Sequence, residues 1–233
     1  MPLYKTEKGL LYFAHLPLAG GALFDRYLAA RFGAPALHQP RYCGAPTSAA
    51  SSPVQHIERQ QFAKWFPANF LDYLLALVRH PTLRLVAAYQ LRQRRTGDAE
   101  MADFSSWLAG YAEAIANDSA KLPGDLRWQC SFLPPHCRLF KLEGGLEPVA
   151  DYLDEQFGPA SRELLILPQA ATAQPSSSAA AEQSPPRGGE PNTASDRPKP
   201  PVITANDHRL ISEIYQRDFT LLSYPVSAPR VLH

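Results

Sequence analysis

Residues 10–24 read LLYFAHLPLAGGALF. Leu10–Ala14 is an apolar run of strand length. His15, Pro17 and the pair Gly20–Gly21 interrupt it, and from Ala22 to Phe32 the apolar positions return at helical spacing. Strand, glycine turn and helix together make an anion cradle. Glycine lets the backbone turn sharply and approach a ligand, and the first N–H groups of the helix lack intrahelical partners. Such phosphate turns ordinarily carry a lysine, whereas this one holds Leu18. Either a phosphate site has lost its charge here, or the turn never had one.

The chain has 233 residues, 45% hydrophobic and 19% charged, with a formal net charge of +1. That suits one α/β domain with an insertion. Near-neutrality gives no global reason to expect nucleic acid or an acidic surface partner, so any anion site is local. Cys43, Cys130 and Cys137 form no CxxC pair; reduced cytoplasmic thiols are expected rather than a disulfide scaffold or zinc site. No stretch reaches the roughly 18 apolar residues of a membrane span, and MPLYKTEKGLLYF lacks a signal peptide's long apolar region. A soluble cytoplasmic protein without a metal is expected.

Periodicity predicts strands at 9–15, 72–79 (DYLLALVR) and 137–143 (CRLFKLE). It predicts helices at 21–32, 57–65, 82–95, 101–117 and 146–158, with an irregular stretch at 34–54. Alternation of this kind implies a three-layer α/β fold, a central parallel sheet flanked by helices. Residues 169–201 are rich in Ala, Ser, Pro and Gly and are expected to be a disordered insertion. It separates a domain at 1–168 from a helix and tail at 202–233, in which Asn206/Asp207 would cap a helix and Leu210, Ile211, Ile214 and Tyr215 share a face.

Ligands in parallel sheets bind beyond the carboxyl ends of strands. Two strand ends stand out. One is the turn Pro17-Leu18-Ala19-Gly20-Gly21-Ala22-Leu23; the other is VRHP, where Arg79 ends a strand and Pro81 opens a helix. An arginine fork there suits phosphate. Read singly, the first is a turn and the second a surface ion pair. Together, HLPLAGGALFDRYL and LLALVRHPTLRLVAAY resemble the two phosphate motifs of the sulfotransferases that use 3′-phosphoadenosine 5′-phosphosulfate (PAPS), in particular the carbohydrate-sulfotransferase branch. SSPVQHIERQQFAKWFP resembles the segment that precedes the second motif's strand, and DFSSWL, LRWQCSFLP, RLFKLEGGLEPVADYL and ISEIYQRDFTLLSYP follow in that family's order. The resemblance covers about 1–158 and 203–225. It implies a P-loop-like fold, PAPS or adenosine 3′,5′-bisphosphate as cofactor, and a hydroxyl acceptor on a carbohydrate or small metabolite.

The departures from the family pattern matter as much. Leu18 replaces the loop lysine, Ala19, Ala22 and Leu23 replace polar or small loop residues, and Ala87 replaces the serine that would join Arg79 on the 3′-phosphate. Losing one such electrostatic contact removes roughly 10²–10³ in rate. Arg26, Arg41 and Lys64 are the cations that could substitute, and Arg84 could assist Arg79. By resemblance a His or Glu takes the acceptor's proton: His56 first, then Glu58 and His15, although His15 also suits a structural role. Arg127 and Gln129 either contact the acceptor or form an ion pair and a buried amide. Three readings follow: a sulfotransferase, an inactive relative that binds nucleotide or protein, or a scaffold that uses the insertion as a tether to a protein partner.

Overall fold

A computed structural model describes residues 2–37, 56–96, 101–117, 124–160 and 201–226. The stretches 38–55 and 161–200, which hold Arg41, Cys43 and nearly all of the expected insertion, lie outside the described residues.

The fold is α/β. Four strands, β1 (Leu3–Thr6), β2 (Gly9–Ala14), β3 (Tyr73–Val78) and β4 (Arg138–Lys141), form one sheet in that order. β2, β3 and β4 run parallel, with Leu11 opposite Tyr73 and Val78 opposite Lys141. β1 is antiparallel to β2 across a tight hairpin, Thr6 facing Gly9. The sheet is therefore not purely parallel, as expected, but carries an antiparallel edge strand. LYKT is too short and too polar to show an alternation by itself.

Side chains alternate across β2 and β3 and feed two cores. Tyr12, Ala14, Ala76 and Val78 join the core that also holds residues of α2 (Arg59–Trp65), α3 (Pro81–Thr96), α4 (Phe104–Asn117), α6 (Ala205–Ile214) and α7 (Gln216–Leu221). Leu11, Phe13, Leu75 and Leu77 pack on the other side with α1 (Gly21–Phe32) and α5 (Glu147–Phe157). Helices thus flank both faces of a sheet whose inner strands are buried, in line with their continuous apolar sequences. No helix among the described residues is long and apolar enough to cross a membrane.

The carboxyl ends of the three parallel strands come together. β2 runs into the turn at 15–20, β3 into Arg79, and β4 into a 3₁₀ turn at Leu142–Gly144. The C-terminal helices close over this end. Lys141 Nζ donates to the Ser223 carbonyl at 2.7 Å, and Tyr224 Oη donates to Glu143 Oε2 at 2.9 Å.

The cap of α6 is Thr204, not the expected Asn206/Asp207 pair. Thr204 and Asp207 form a reciprocal capping box, each side chain accepting the other's main-chain N–H. Asp207 is fully buried and also accepts from Ser105 Oγ at 2.8 Å. Leu210, Ile211, Ile214 and Tyr215 do share the core-facing side. We expect Thr204→Ala to lower the unfolding free energy by about 1 kcal/mol. Urea titration at unchanged m-value is the check.

Candidate functional site

The turn after β2 alternates in handedness. Leu18 (φ 63°) and Gly20 (φ 80°) are left-handed, while Ala19 between them is not. This alternation curls successive N–H groups into a concavity that favours anions. Among the described residues no acceptor meets the N–H groups of Leu18, Gly20, Gly21 or Ala22. Gly21 opens α1, so its amide and that of Ala22 are donors the helix cannot use. Gly20 lies against the side chain of Leu142, and a Cβ there would sit 2.9 Å from its Cδ1.

Leu18 takes a conformation that costs a non-glycine residue on the order of 1 kcal/mol. Its side chain is half-buried and packs on the first core. Ala19 is buried, Leu23 packs on the second core, and Ala22 is exposed. Pro17 is buried, and its carbonyl accepts from Arg84 Nε at 2.9 Å.

Arg79 stands beside this turn, its Nη1 3.3 Å from the Leu18 carbonyl. The two predicted phosphate motifs therefore touch. Burial pulls the guanidinium pKa down, and the nearby Glu143 and Tyr224 oppose that. Glu143 follows β4 directly and accepts the His80 N–H at 2.6 Å. A carboxylate thus already occupies one anion position at the start of α3. Glu143 was missed in the sequence. Applying the strand-end argument to the third strand as well as the first two would have found it. Ala87 is half-buried on α3 and has no group to offer an anion.

Arg84 is spent elsewhere. It is 2% exposed and donates to the carbonyls of Pro17, Arg127 and Asp125 at 2.8–2.9 Å. Arg26 and Lys64 are exposed on α1 and α2.

His15 and His56 are in contact, their Nδ1 atoms 3.2 Å apart. His56 Nδ1 also lies 2.7 Å from the His15 carbonyl, so its N–H donates there. His15 then accepts at Nδ1 and donates from Nε2 to Asp25 Oδ2 at 3.2 Å. That tautomer leaves the lone pair of His56 on Nε2. Burial, and then the His15 ring, hold the His56 pKa down at about 4. Gly21 admits this arrangement, since a Cβ there would fall 2.5 Å from His15 Nε2. Asp25 was not singled out in the sequence, although it lies one turn into the helix that begins at the glycines.

Glu58 pairs with Arg127, which engages the second proposed base. Gln129 is fully buried. Its Oε1 accepts the Arg79 N–H at 2.9 Å, and its Nε2 donates to the Arg79 carbonyl at 2.7 Å. The pair shows the ion-pair and buried-amide arrangement. His80 caps α3, accepting the Thr82 N–H at Nδ1 and donating from Nε2 to the Pro225 carbonyl.

A cavity of about 970 Å³ lies at the opposite, amino-terminal end of β3 and β4, between Phe62, Phe66, Tyr73, Arg138 and Tyr152. Both Asp72 and Arg138 line it. Among the described residues no cluster of three or more His, Cys, Asp or Glu could hold a metal.

No protein-family model, no curated protein and no solved structure matches this chain.

The depressed His56 pKa fixes the sign of an acid effect. Between its ordinary 6.5 and about 4 the unfolded chain binds a proton that the native state does not. Stability is complete above pH 6.5 and falls as pH drops towards 4, by at most about 3 kcal/mol from this residue. Burial lowers the His80 pKa as well and adds in the same direction. Denaturant midpoints between pH 7 and 4 test this, and His56→Phe should flatten the slope.

Proposed function

We propose that the turn at 17–23 and Arg79 hold the two phosphate groups of an adenosine 3′,5′-bisphosphate unit, as in a PAPS-dependent sulfotransferase. On this reading the chain transfers a sulfuryl group from PAPS to a hydroxyl of a carbohydrate or small metabolite. The observation that carries the reading is the juxtaposition of the Arg79 guanidinium with a turn in which the N–H groups of Leu18, Gly20, Gly21 and Ala22 meet no acceptor among the described residues. Two anion-binding elements of different chemistry, one main-chain and one guanidinium, meet at the ends of adjacent parallel strands.

PAPS supplies an activated sulfuryl group; the chain's own residues orient and neutralise. The free N–H groups at 20–22 bind the 5′ end, the Arg79 fork binds the 3′-phosphate, and His56 Nε2 takes the acceptor's proton. Positioning and charge stabilisation carry such a transfer, and no covalent intermediate is needed. Cys130 and Cys137 are free thiols, which accords with a cytoplasmic setting.

One observation favours the second reading, binding without turnover. Leu18 brings an aliphatic side chain to the position of the lysine, and of the two described cations that reach the turn, Arg79 and Arg84, the second is bonded to main-chain carbonyls. The low His56 pKa also makes it a weak base.

Calorimetric titration of adenosine 3′,5′-bisphosphate at low salt is expected to show micromolar binding. Arg79→Ala should weaken it by about 10–100-fold, the loss of hydrogen bonds to a charged group. Unchanged affinity would remove the 3′-phosphate assignment. Leu18→Lys should tighten PAPS binding by about tenfold and raise any sulfuryl transfer to a generic sugar acceptor. If binding appears without transfer in the native chain and transfer appears in Leu18→Lys, the second reading holds.

A further inference from the structure

We infer that Gln129, held in place by Asp218, is a positioning residue that sets Arg79 for a 3′-phosphate and so gives the site its preference for bisphosphorylated nucleotides. The inference rests on the nucleotide reading above. Arg79 lies where strand geometry ends and helix α3 has not begun, so no ladder or helix bond holds its main chain. Gln129 supplies both missing bonds, to the N–H and to the C=O, and it is fully buried. A buried amide left unpaired is costly, so this geometry is strongly enforced.

Gln129 is itself fixed from the C-terminal helices. Asp218, also fully buried, accepts the main-chain N–H groups of Gln129 and Cys130 at 2.8 and 3.0 Å. Trp128 Nε1 donates to the Ile214 carbonyl, and Tyr215 Oη to the Leu126 carbonyl, both at 2.7 Å. The 3₁₀ segment at 124–132 is thus pinned along its length to α6 and α7. The chain of contacts runs from α7 through Gln129 to the backbone of Arg79.

The choice of partner atoms matters. A carboxylate in place of Gln129 would draw the guanidinium into an ion pair. The amide binds only main-chain atoms of Arg79; the fork's one described hydrogen bond is the long one to the Leu18 carbonyl, with Glu143 and Tyr224 nearby. Arg84, five residues on, shows the contrast: all of its fork is used inside the protein. The pair separates a structural arginine from a ligand arginine by what fixes each one.

The test compares adenosine 3′,5′-bisphosphate with adenosine 5′-monophosphate, by calorimetry, on the full chain and on Gln129→Leu, Gln129→Glu and Asp218→Asn. Thermal melting identifies the variants that fold; Gln129→Glu keeps the acceptor for the Arg79 N–H, loses the donor to its carbonyl and adds the carboxylate that would draw the guanidinium away from a ligand. The native chain is expected to prefer the bisphosphate by about tenfold or more. The folded variants should lose most of that preference while binding the monophosphate as before. Variants that keep the ratio, or that weaken both nucleotides equally, would show that Gln129 only supports the fold and would overturn the inference. A native chain that binds neither nucleotide would overturn the nucleotide reading itself, a result distinct from both.

Discussion

A single buried cation organises the carboxyl end of the sheet. Arg84 gives up nearly all contact with water and recovers hydrogen bonds only from three main-chain carbonyls. Charge removed from water is tolerated when its donors are fully satisfied. One of those carbonyls belongs to Pro17 in the turn, and two belong to the segment that leads to Gln129. The turn after β2, helix α3 and the 124–132 segment therefore cannot move independently. The turn and the segment that leads to Gln129 are thus tied together through this one side chain.

Around that anchor the site is built by polar groups acting on the backbone. Gln129 holds Arg79, Asp218 holds Gln129, and His80 is fixed between Thr82 and Pro225. Glu143 closes the remaining edge by accepting both the His80 N–H and the Tyr224 hydroxyl. Four elements separated in the sequence meet here, among them helices that follow residue 200. The C-terminal helices are thus part of the site's frame.

The fold was legible where apolar periodicity is strong. β2, β3, α1 and α5 could be placed to within a residue or two, because continuous apolar strands and glycine-closed amphipathic helices leave few alternatives. β1 escaped because four half-polar residues carry no period, and the Thr204 cap because the competing Asn206/Asp207 pair looks equally good in one dimension. In the site, Arg79 and the glycine turn could be named from their places at strand ends. Asp218 could not be. Its effect depends on an approach across 88 and 89 residues of sequence, and nothing in RDFTLL announces a carboxylate that will accept two amides. Gln129 could be singled out by its motif, yet its task was visible only once its burial was known.

Leu18 has a consequence for how shape and charge are divided at the turn. The left-handed backbone at this position penalises any side chain that has a Cβ, and leucine and lysine are alike in being unbranched there. The penalty is therefore the same for either residue, and the handedness that curls the amides inward persists regardless of which one is present. Shape and charge are therefore set separately at this turn. A charge at position 18 would thus meet the same inward-curled amides, at the cost of the packing that the Leu18 side chain makes on the first core.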